Sequence, residues 1–211
     1  MDTEVRTESE LPQLDFLFIG GNLAINLVNT WRNRRIPGSR QAIRFNLLRD
    51  VSQVELWWRK ACAQHGLTGY EEYVWSEEDF ELLLALRAEL RSLFEAKIGN
   101  RAELPPTIFL NRVLARGSFV VRIGGASAYR DCVAREYVSR EGRPDALLAI
   151  ALAAAELLAT CDLSRLHDCR SEQCLALFYD TTKSGTRHWC RPECMNRARA
   201  RENYRRSKEG A

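Results

Sequence analysis

Apolar residues recur at the three- and four-residue spacing of amphipathic helices in two long stretches of this chain. The first covers residues 50–65, and Gly66 follows where a C-terminal cap belongs. Its apolar positions are Val54, Trp57, Trp58 and Ala61. The second begins at Ser76, which can form a capping box with Asp79, and it ends near Gly99. Its apolar positions are Phe80, Leu83, Leu84, Leu90, Leu93 and Phe94. Each pattern predicts a helix with one buried face.

Other segments complete a mainly helical pattern. Residues 22–30 and 108–114 are predicted to form short helices, and the Ala- and Leu-rich run 146–161 predicts a helix buried on most of its surface. Residues 119–123 are β-branched and aromatic, and glycines flank them, so they predict the first strand of a hairpin near 118–130. The basic segment 32–40 is predicted to be a loop. The expected fold class is mainly α with a small β-hairpin element, an α+β fold.

The chain divides into three parts. Residues 1–13 are charged, and we expect them to be disordered, whereas residues 14–166 carry the helices of one body. Residues 167–211 form a second, smaller module. The link at 162–167 is short and is not rich in Gly or Ser, so we expect the module to pack against the body.

Charge is distributed unevenly along the chain. The 211 residues carry a formal net charge of +3, yet residues 168–211 alone hold ten Lys or Arg and six Asp or Glu. This basic excess indicates that the tail meets a polyanion. The acidic N-terminus does not resemble a signal or transit peptide, and the longest apolar stretch is interrupted by Gly and Asn. We therefore expect a cytoplasmic protein that does not enter a membrane.

Four of the seven cysteines form two close pairs in the tail. Cys169 and Cys174 are a C-x4-C pair, and Cys190 and Cys194 are a C-x3-C pair fifteen residues further on. In a reducing compartment this spacing is typical of a tetrahedral Zn²⁺ site. Four thiolates leave no position for water, so the predicted cofactor is one structural Zn²⁺. Clustering by chance or for redox chemistry is one alternative, and replacement of a thiolate by a nearby histidine is another.

The segments around these cysteines predict the architecture of the tail. Residues 175–179 and 186–189 flank a turn and are predicted to pair as a β-hairpin. Pro192 suits the first turn of a helix that carries Cys194. This order of knuckle, hairpin and helix predicts a treble-clef-like zinc finger.

Basic residues recur along the predicted C-terminal helix. Arg197, Arg201 and Arg205 are four residues apart and share one face, which suits contacts with nucleic-acid phosphates. The candidate nucleic-acid-binding residues are Arg187, Asn196, Arg197, Arg199, Arg201, Arg205, Arg206 and Lys208. A solvated basic face without a partner is the alternative. Arginines near the metal, Arg187 among them, could instead compensate the charge of the thiolates.

These residues make the tail similar to the CGNR zinc-finger family, whose signature is a Cys-Gly-Asn-Arg tetrapeptide. Here the tetrapeptide is Cys194-Met195-Asn196-Arg197, with Met195 in the place of Gly. The body resembles the domain called ABATE, which usually precedes that finger, through residues 20–30 and the Ala-rich helix before Leu163. Members of that family often carry Asp where this chain has Asn26. The resemblance implies a bacterial stress-related transcription regulator that binds DNA.

A regulator needs an input, and polar residues cluster near the end of the first predicted helix. Asn26, Asn29, Thr30 and Arg32 could line a pocket for a small-molecule effector. The alternative is that these side chains satisfy backbone groups in turns and at helix ends.

The leading hypothesis is therefore a DNA-binding transcription regulator, and a homodimer is expected by analogy with regulators that read paired half-sites. One alternative is an RNA-binding protein that stacks bases on Tyr179, Trp189 or Tyr204. Another is a protein-interaction scaffold with a purely structural zinc. Catalysis is not expected, because cysteine–histidine pairs outside the zinc motif, such as Cys62 with His65, lack a supporting motif.

Overall fold

The computed structural model describes residues 15–35, 42–123, 133–140, 142–172 and 174–209. Within these ranges the chain forms six α-helices and three two-stranded antiparallel sheets. The helices are α1 (Leu23–Val28), α2 (Val51–His65), α3 (Glu77–Ile98), α4 (Ile108–Leu114), α5 (Ala146–Thr160) and α6 (Pro192–Glu209). The strands are β1 (Trp31–Arg35), β2 (Ala42–Asn46), β3 (Gly117–Ile123), β4 (Val133–Ser139), β5 (Leu166–Asp168) and β6 (Leu177–Tyr179). The segment 1–13, predicted to be disordered, lies outside the described residues.

The mainly α class and the predicted helices are confirmed, and the helix ends follow the expected capping chemistry. The Asp50 side chain caps α2 by accepting a hydrogen bond from the backbone nitrogen of Gln53 at 2.9 Å. Gly66 ends that helix at a φ of 65°, a left-handed conformation that favours glycine. Ser76 and Asp79 form the capping box of α3. The signals at Gly66 and at Ser76 with Asp79 are local, so the sequence alone was enough to predict them, whereas the Asp50 cap appears only in the structure.

The core surrounds α5, which contacts α1, α3 and α4. Seven of its residues are buried, in agreement with its apolar composition. The largest side chains of this core include Trp57, Trp58 and Phe94. In the described ranges we find no helix of the length and apolar character needed to cross a membrane.

A hairpin forms where the sequence predicted a loop. Strands β1 and β2 are antiparallel, with Trp31 opposite Asn46 and Arg35 opposite Ala42. The loop prediction is therefore wrong for residues 32–35, and its remaining residues, 36–40, lie outside the described part. Strand β1 escaped detection because its sequence, Trp-Arg-Asn-Arg-Arg, lacks the apolar alternation of a half-buried strand.

The predicted hairpin after α4 is present and longer than expected. Strand β3 pairs with β4, from Gly117 opposite Ser139 to Ile123 opposite Val133. The returning strand therefore lies beyond the predicted range of 118–130. Residues 124–132, which join the strands, lie outside the described residues.

The third sheet corrects the prediction for the zinc module. Strand β6 pairs with β5, the segment just before Cys169, with Leu166 opposite Tyr179 and Asp168 opposite Leu177. The predicted pairing of 175–179 with 186–189 is wrong, because residues 186–189 form no strand. A short 3₁₀ helix at Leu163–Arg165 leads into β5. The link between body and module is thus ordered by the sheet itself.

The body covers the other edge of β6. The Asn29 side chain donates from Nδ2 to the Leu177 carbonyl at 2.8 Å and accepts from the Leu177 backbone nitrogen at 2.9 Å. The Gly20 carbonyl accepts from the Tyr179 backbone nitrogen at 3.0 Å. Asn29 and Gly20 therefore take the place of a third strand at an otherwise open edge. Leu166 and Leu177 also belong to the core of the body, so β5 and β6 are packed into it.

Candidate metal centre and nucleic-acid interface

The four tail cysteines converge on one point. Their Sγ atoms all lie within 4.8 Å of one another. The Sγ atom of Cys190 is 3.7 Å from that of Cys174 and 3.6 Å from that of Cys194. Zinc–sulfur bonds of about 2.3 Å in a tetrahedron place sulfur atoms about 3.8 Å apart, whereas a disulfide needs about 2.05 Å. The donor set fits one Zn²⁺ ion with four cysteine ligands.

Tight turns of the backbone hold the two cysteine pairs. The Cys174 backbone nitrogen donates to the Ser171 carbonyl at 2.7 Å, which closes the first knuckle. The Cys190 backbone nitrogen donates to the Cys169 sulfur at 3.5 Å and links the two pairs. Cys194 lies in the first turn of α6, after Pro192. The metal centre therefore fixes the starting direction of α6.

Four thiol groups at this distance need a cation to ionise together. Hydrogen bonding to the Cys169 and Cys174 sulfurs, followed by burial, raises the pKa of Cys190 far above its ordinary value. Hydrogen bonding to Cys169 raises the pKa of Cys174 to about 11. A bound Zn²⁺ reverses this preference because it stabilises thiolates directly. Metal binding and the folded arrangement of these cysteines therefore depend on each other.

Arginines surround the centre. The Arg197 Nη2 atom lies 3.8 Å from the Cys194 sulfur. Arg187 stacks over Phe178 at 4.8 Å from the ring centroid, and its guanidinium donates to the carbonyls of Trp189, at 2.8 Å, and Cys190. Both side chains thus contact the zinc module itself, which agrees with a role in compensating thiolate charge.

Asp180 organises the turn between the two cysteine pairs, and sequence reasoning missed it. Its Oδ1 atom accepts from the Thr182 backbone nitrogen at 2.8 Å, and its Oδ2 atom accepts from the Arg187 backbone nitrogen at 2.8 Å. Burial alone would raise the pKa of Asp180, but these hydrogen bonds and that from the Thr182 hydroxyl lower it to about 2. The available signal was an Asp at the start of a turn, where its side chain commonly caps backbone amides.

Helix α6 carries seven of the eight candidate nucleic-acid residues, and Arg187 lies in the preceding turn. Those exposed on α6 are Asn196, Arg197, Arg199, Arg205, Arg206 and Lys208, whereas Arg201 and Arg187 are half-buried. Asn196, Arg199 and Arg206 share a face with Asn203 between them, at the spacing of one helix side. Arg206 donates to Glu202 at 3.0 Å. Among the described residues, Arg199 has no ion-pair partner.

A second face of α6 looks onto the first knuckle. Between them lies a cleft of about 140 Å³, lined by Arg170, Ser171, Glu172, Arg197, Ala198, Arg201, Glu202 and Arg205. Arg201 pairs with Glu172 of the knuckle, and Arg205 pairs with Glu202 at 2.8 Å. The stripe of Arg197, Arg201 and Arg205 thus lies on the side of the helix nearest the metal.

The four residues predicted to line an effector pocket lie around the end of α1 and in β1. Asn26, Asn29 and Thr30 are each about 2% exposed, and all three side chains have hydrogen-bond partners within the protein. The Thr30 hydroxyl donates to the Leu27 carbonyl at 2.7 Å and accepts from Arg87 at 2.8 Å. Arg32 is half-buried near the metal centre; burial and the charge of Arg191 lower its pKa, and the nearby Cys174, Cys190 and Cys194 oppose that change.

The hydrogen bond between Asn26 and His65 makes the stability of the body depend on pH. Asn26 Oδ1 accepts from the Gly20 backbone nitrogen at 2.8 Å, so its Nδ2 must donate to His65 Nε2 at 2.9 Å, which requires a neutral imidazole. Burial lowers the pKa of His65 below its ordinary value of 6.5. A lowered pKa means that the unfolded chain binds the proton more tightly. We therefore expect the free energy of unfolding to fall as pH falls below 6.5.

The variant Asn26→Asp should reverse the effect of His65, so that this residue stabilises the fold at low pH. A carboxylate can still accept from Gly20, and it would attract a protonated imidazolium, which raises the pKa of His65. Urea unfolding between pH 5.5 and 7.5 measures the effect, and His65→Gln is the reference that removes this titration. If the wild-type protein, Asn26→Asp and His65→Gln share one pH dependence, the Asn26–His65 contact does not control it.

Two family models match the chain. One, described as "CGNR zinc finger", matches residues 165–207. The other, ABATE, is described as "Putative stress-induced transcription regulator" and matches residues 21–160. No curated protein matches the sequence.

Proposed function

The chain belongs to the ABATE family and ends in a CGNR zinc finger, and from this premise we propose that it binds DNA through the exposed face of α6 and thereby regulates transcription. The structural zinc orients the helix and takes no part in chemistry. The observation that carries the proposal is the face formed by Asn196, Arg199, Asn203 and Arg206. An α-helix of this length fits the major groove of B-DNA, where arginines contact phosphates and Asn can reach base edges.

Reversing charge on this face should weaken DNA binding. In Arg199→Glu with Arg206→Glu, each lost phosphate contact should reduce the slope of log affinity against log salt by about 0.9. We expect affinity at low salt to fall by more than about tenfold, since repulsion adds to the lost contacts. Fluorescence anisotropy with zinc-loaded protein and labelled duplex DNA, repeated across a salt series, measures both quantities.

The control is Arg112→Glu, which reverses one exposed arginine on α4, in the body. It should bind DNA as the wild-type protein does, apart from a small effect of net charge. If the α6 variant binds with wild-type affinity and slope, this face does not contact DNA. If the wild-type protein fails to bind duplex DNA even at low salt, the scaffold alternative is favoured.

The RNA alternative has one structural argument in its favour. Tyr204 is 64% exposed on α6, and Lys208 lies over its ring at 5.2 Å, so an aromatic surface is available for base stacking. Trp189 and Tyr179 are half-buried and pack against the module and the core. Competition of single-stranded RNA against bound duplex DNA separates the two functions. A palindromic duplex in the same assay tests the proposed homodimer through its stoichiometry.

We propose no catalytic role for the body. Burial, with the charge of Glu71, raises the pKa of Cys62 to about 11, so this residue is a protonated thiol at neutral pH and a poor nucleophile. The nearby His65 is already bonded to Asn26.

A further inference from the structure

A guanidinium group lies buried in the body. Arg87 of α3 is only 3% exposed, and the fully buried Leu83 and Leu90 flank it one helical turn to either side. Its Nη1 atom donates to the Thr30 hydroxyl and to Asn46 Oδ1, both at 2.8 Å. Both acceptors are neutral. The Nε atom is buried and has no hydrogen-bond partner among the residues that the structure describes.

A second cation lies close to this group. The guanidinium carbons of Arg87 and Arg44 lie 5.2 Å and 4.5 Å from the centroid of the same indole ring, that of Trp31. Burial, together with the charge of Arg44, lowers the pKa of Arg87 to about 10. The arginine therefore stays charged at neutral pH in an environment that disfavours charge. The indole stabilises the cations in part through its electron-rich face.

The segment that supplies Thr30, Trp31, Arg44 and Asn46 contains no carboxylate to balance these charges. Arg87 forms no ion pair within the described part of the chain. Residues 16–49, which include α1 and the whole β1–β2 hairpin, contain six arginines and no Asp or Glu. Buried charges in proteins are normally paired, because removing an ion from water without a counter-charge is unfavourable. An anion from outside the chain would satisfy this requirement.

We propose that Arg87, Arg44 and Trp31 form a binding site for a small anion that carries a carboxylate or phosphate group. Trp31 is half-buried and Arg44 is exposed, so the site opens to solvent on the side of the hairpin. Because Arg87 is only 3% exposed, an anion would reach it beside Trp31 and Arg44, which suits a small ligand and not the backbone of a nucleic-acid duplex. Bidentate acceptance by carboxylate or phosphate oxygens suits the guanidinium group and its unpaired Nε.

The proposed site lies close to the contact between the body and the zinc module. Arg87 bonds to Thr30, and the adjacent Asn29 holds β6 of the zinc module through Leu177. Strand β1 continues from Trp31 to Arg32, which lies near the zinc ligands. The anion would thus bind where the body contacts the module. The site goes beyond the proposed DNA binding and stands even if α6 binds no nucleic acid.

Isothermal titration of the zinc-loaded full chain with sodium acetate and, separately, with sodium phosphate at constant ionic strength tests the site. We expect saturable binding of one anion per chain, and Arg87→Met should weaken it by at least about tenfold, since it removes the charge and keeps the side-chain volume. Arg44→Met should weaken it too, and because Arg44 is exposed this variant tests the site even if Arg87→Met fails to fold. Arg112→Met, on α4, should retain wild-type affinity.

The two titrations also identify the group that the site binds. Saturable binding of acetate indicates a carboxylate ligand, and saturable binding of phosphate indicates a phosphate ligand. The proposal is overturned if neither salt binds the wild-type protein. Equal affinity in the wild-type protein and in Arg44→Met, or in a folded Arg87→Met, would also overturn it.

Discussion

Replacing Cys190 by Ser is expected to abolish zinc binding and to unfold the C-terminal module. The Cys190 side chain is fully buried, and its sulfur contacts the sulfurs of Cys174 and Cys194. The small core of the module consists of Cys169, Ala176, Phe178, Cys190 and Cys194. Three of these five residues are zinc ligands, so little apolar packing remains without the metal. Structural zinc contributes about 10–16 kcal/mol to the folding of small fingers, far more than one aromatic side chain can replace.

Metal analysis and limited proteolysis measure this result together. The wild-type protein should contain one zinc per chain and resist cleavage after the link, whereas Cys190→Ser should contain none and be cleaved within the module. Cys161→Ser is the matched control, because Cys161 is a half-buried cysteine outside the cluster. Full zinc content in Cys190→Ser would mean that another ligand completes the site, and His188→Ala in the same background would then identify it or exclude it.

The metal site could be predicted from sequence because its signal is local. Each cysteine pair spans one turn of chain, and the metal requires little beyond two such turns brought together. The pairing of β6 could not be predicted in the same way. Its strands are three residues long, and its correct partner, β5, competes with the nearer segment 186–189. Strand β6 pairs with β5 because Leu166 and Leu177 pack into the core of the body, and no local sequence pattern indicates that packing.

The basic stripe of α6 shows a related limit. Helical spacing correctly places Arg197, Arg201 and Arg205 on one side of the helix, but it does not give the direction in which that side points. Cys194 provides the missing reference, because residues three and seven positions after a metal ligand share its side. Arg197 and Arg201 hold these positions and accordingly lie beside the cluster and the knuckle. The DNA proposal rests on the opposite face of α6, with Asn196 and Arg199, which points away from the cysteine cluster and the first knuckle.

The roles of Arg87 and Asn29 could not be predicted from helical periodicity, for a different reason. Arg87 interrupts the apolar side of α3 between Leu83 and Leu90, which marks it as unusual, yet its partners Thr30 and Asn46 lie far away in sequence. Asn29 likewise bonds to Leu177 across 148 positions. A polar residue in an apolar pattern can be recognised from sequence, but its role depends on contacts made only in the folded chain.

Replacing Asn29 by Ala should therefore weaken the attachment of the zinc module to the body. Its carboxamide satisfies both the backbone nitrogen and the carbonyl of Leu177, which is fully buried. An unsatisfied buried polar group costs about 1–3 kcal/mol, so losing both partners should lower the free energy of unfolding by about 2–6 kcal/mol. Urea unfolding measures the change, and Asn203→Ala, at an exposed position of α6, should leave that free energy nearly unchanged.

The zinc content of Asn29→Ala shows whether the variant disrupts the zinc module itself or only its contact with the body. The metal centre contains no atom of Asn29, so the variant should retain one zinc per chain while limited proteolysis cuts the link at 162–167 faster. This combination would show that the module keeps its own fold and loses its contact with β6. Unchanged stability and unchanged cleavage would instead mean that water replaces the carboxamide at this edge, and that the apolar contacts of Leu166 and Leu177 alone hold the module against the body.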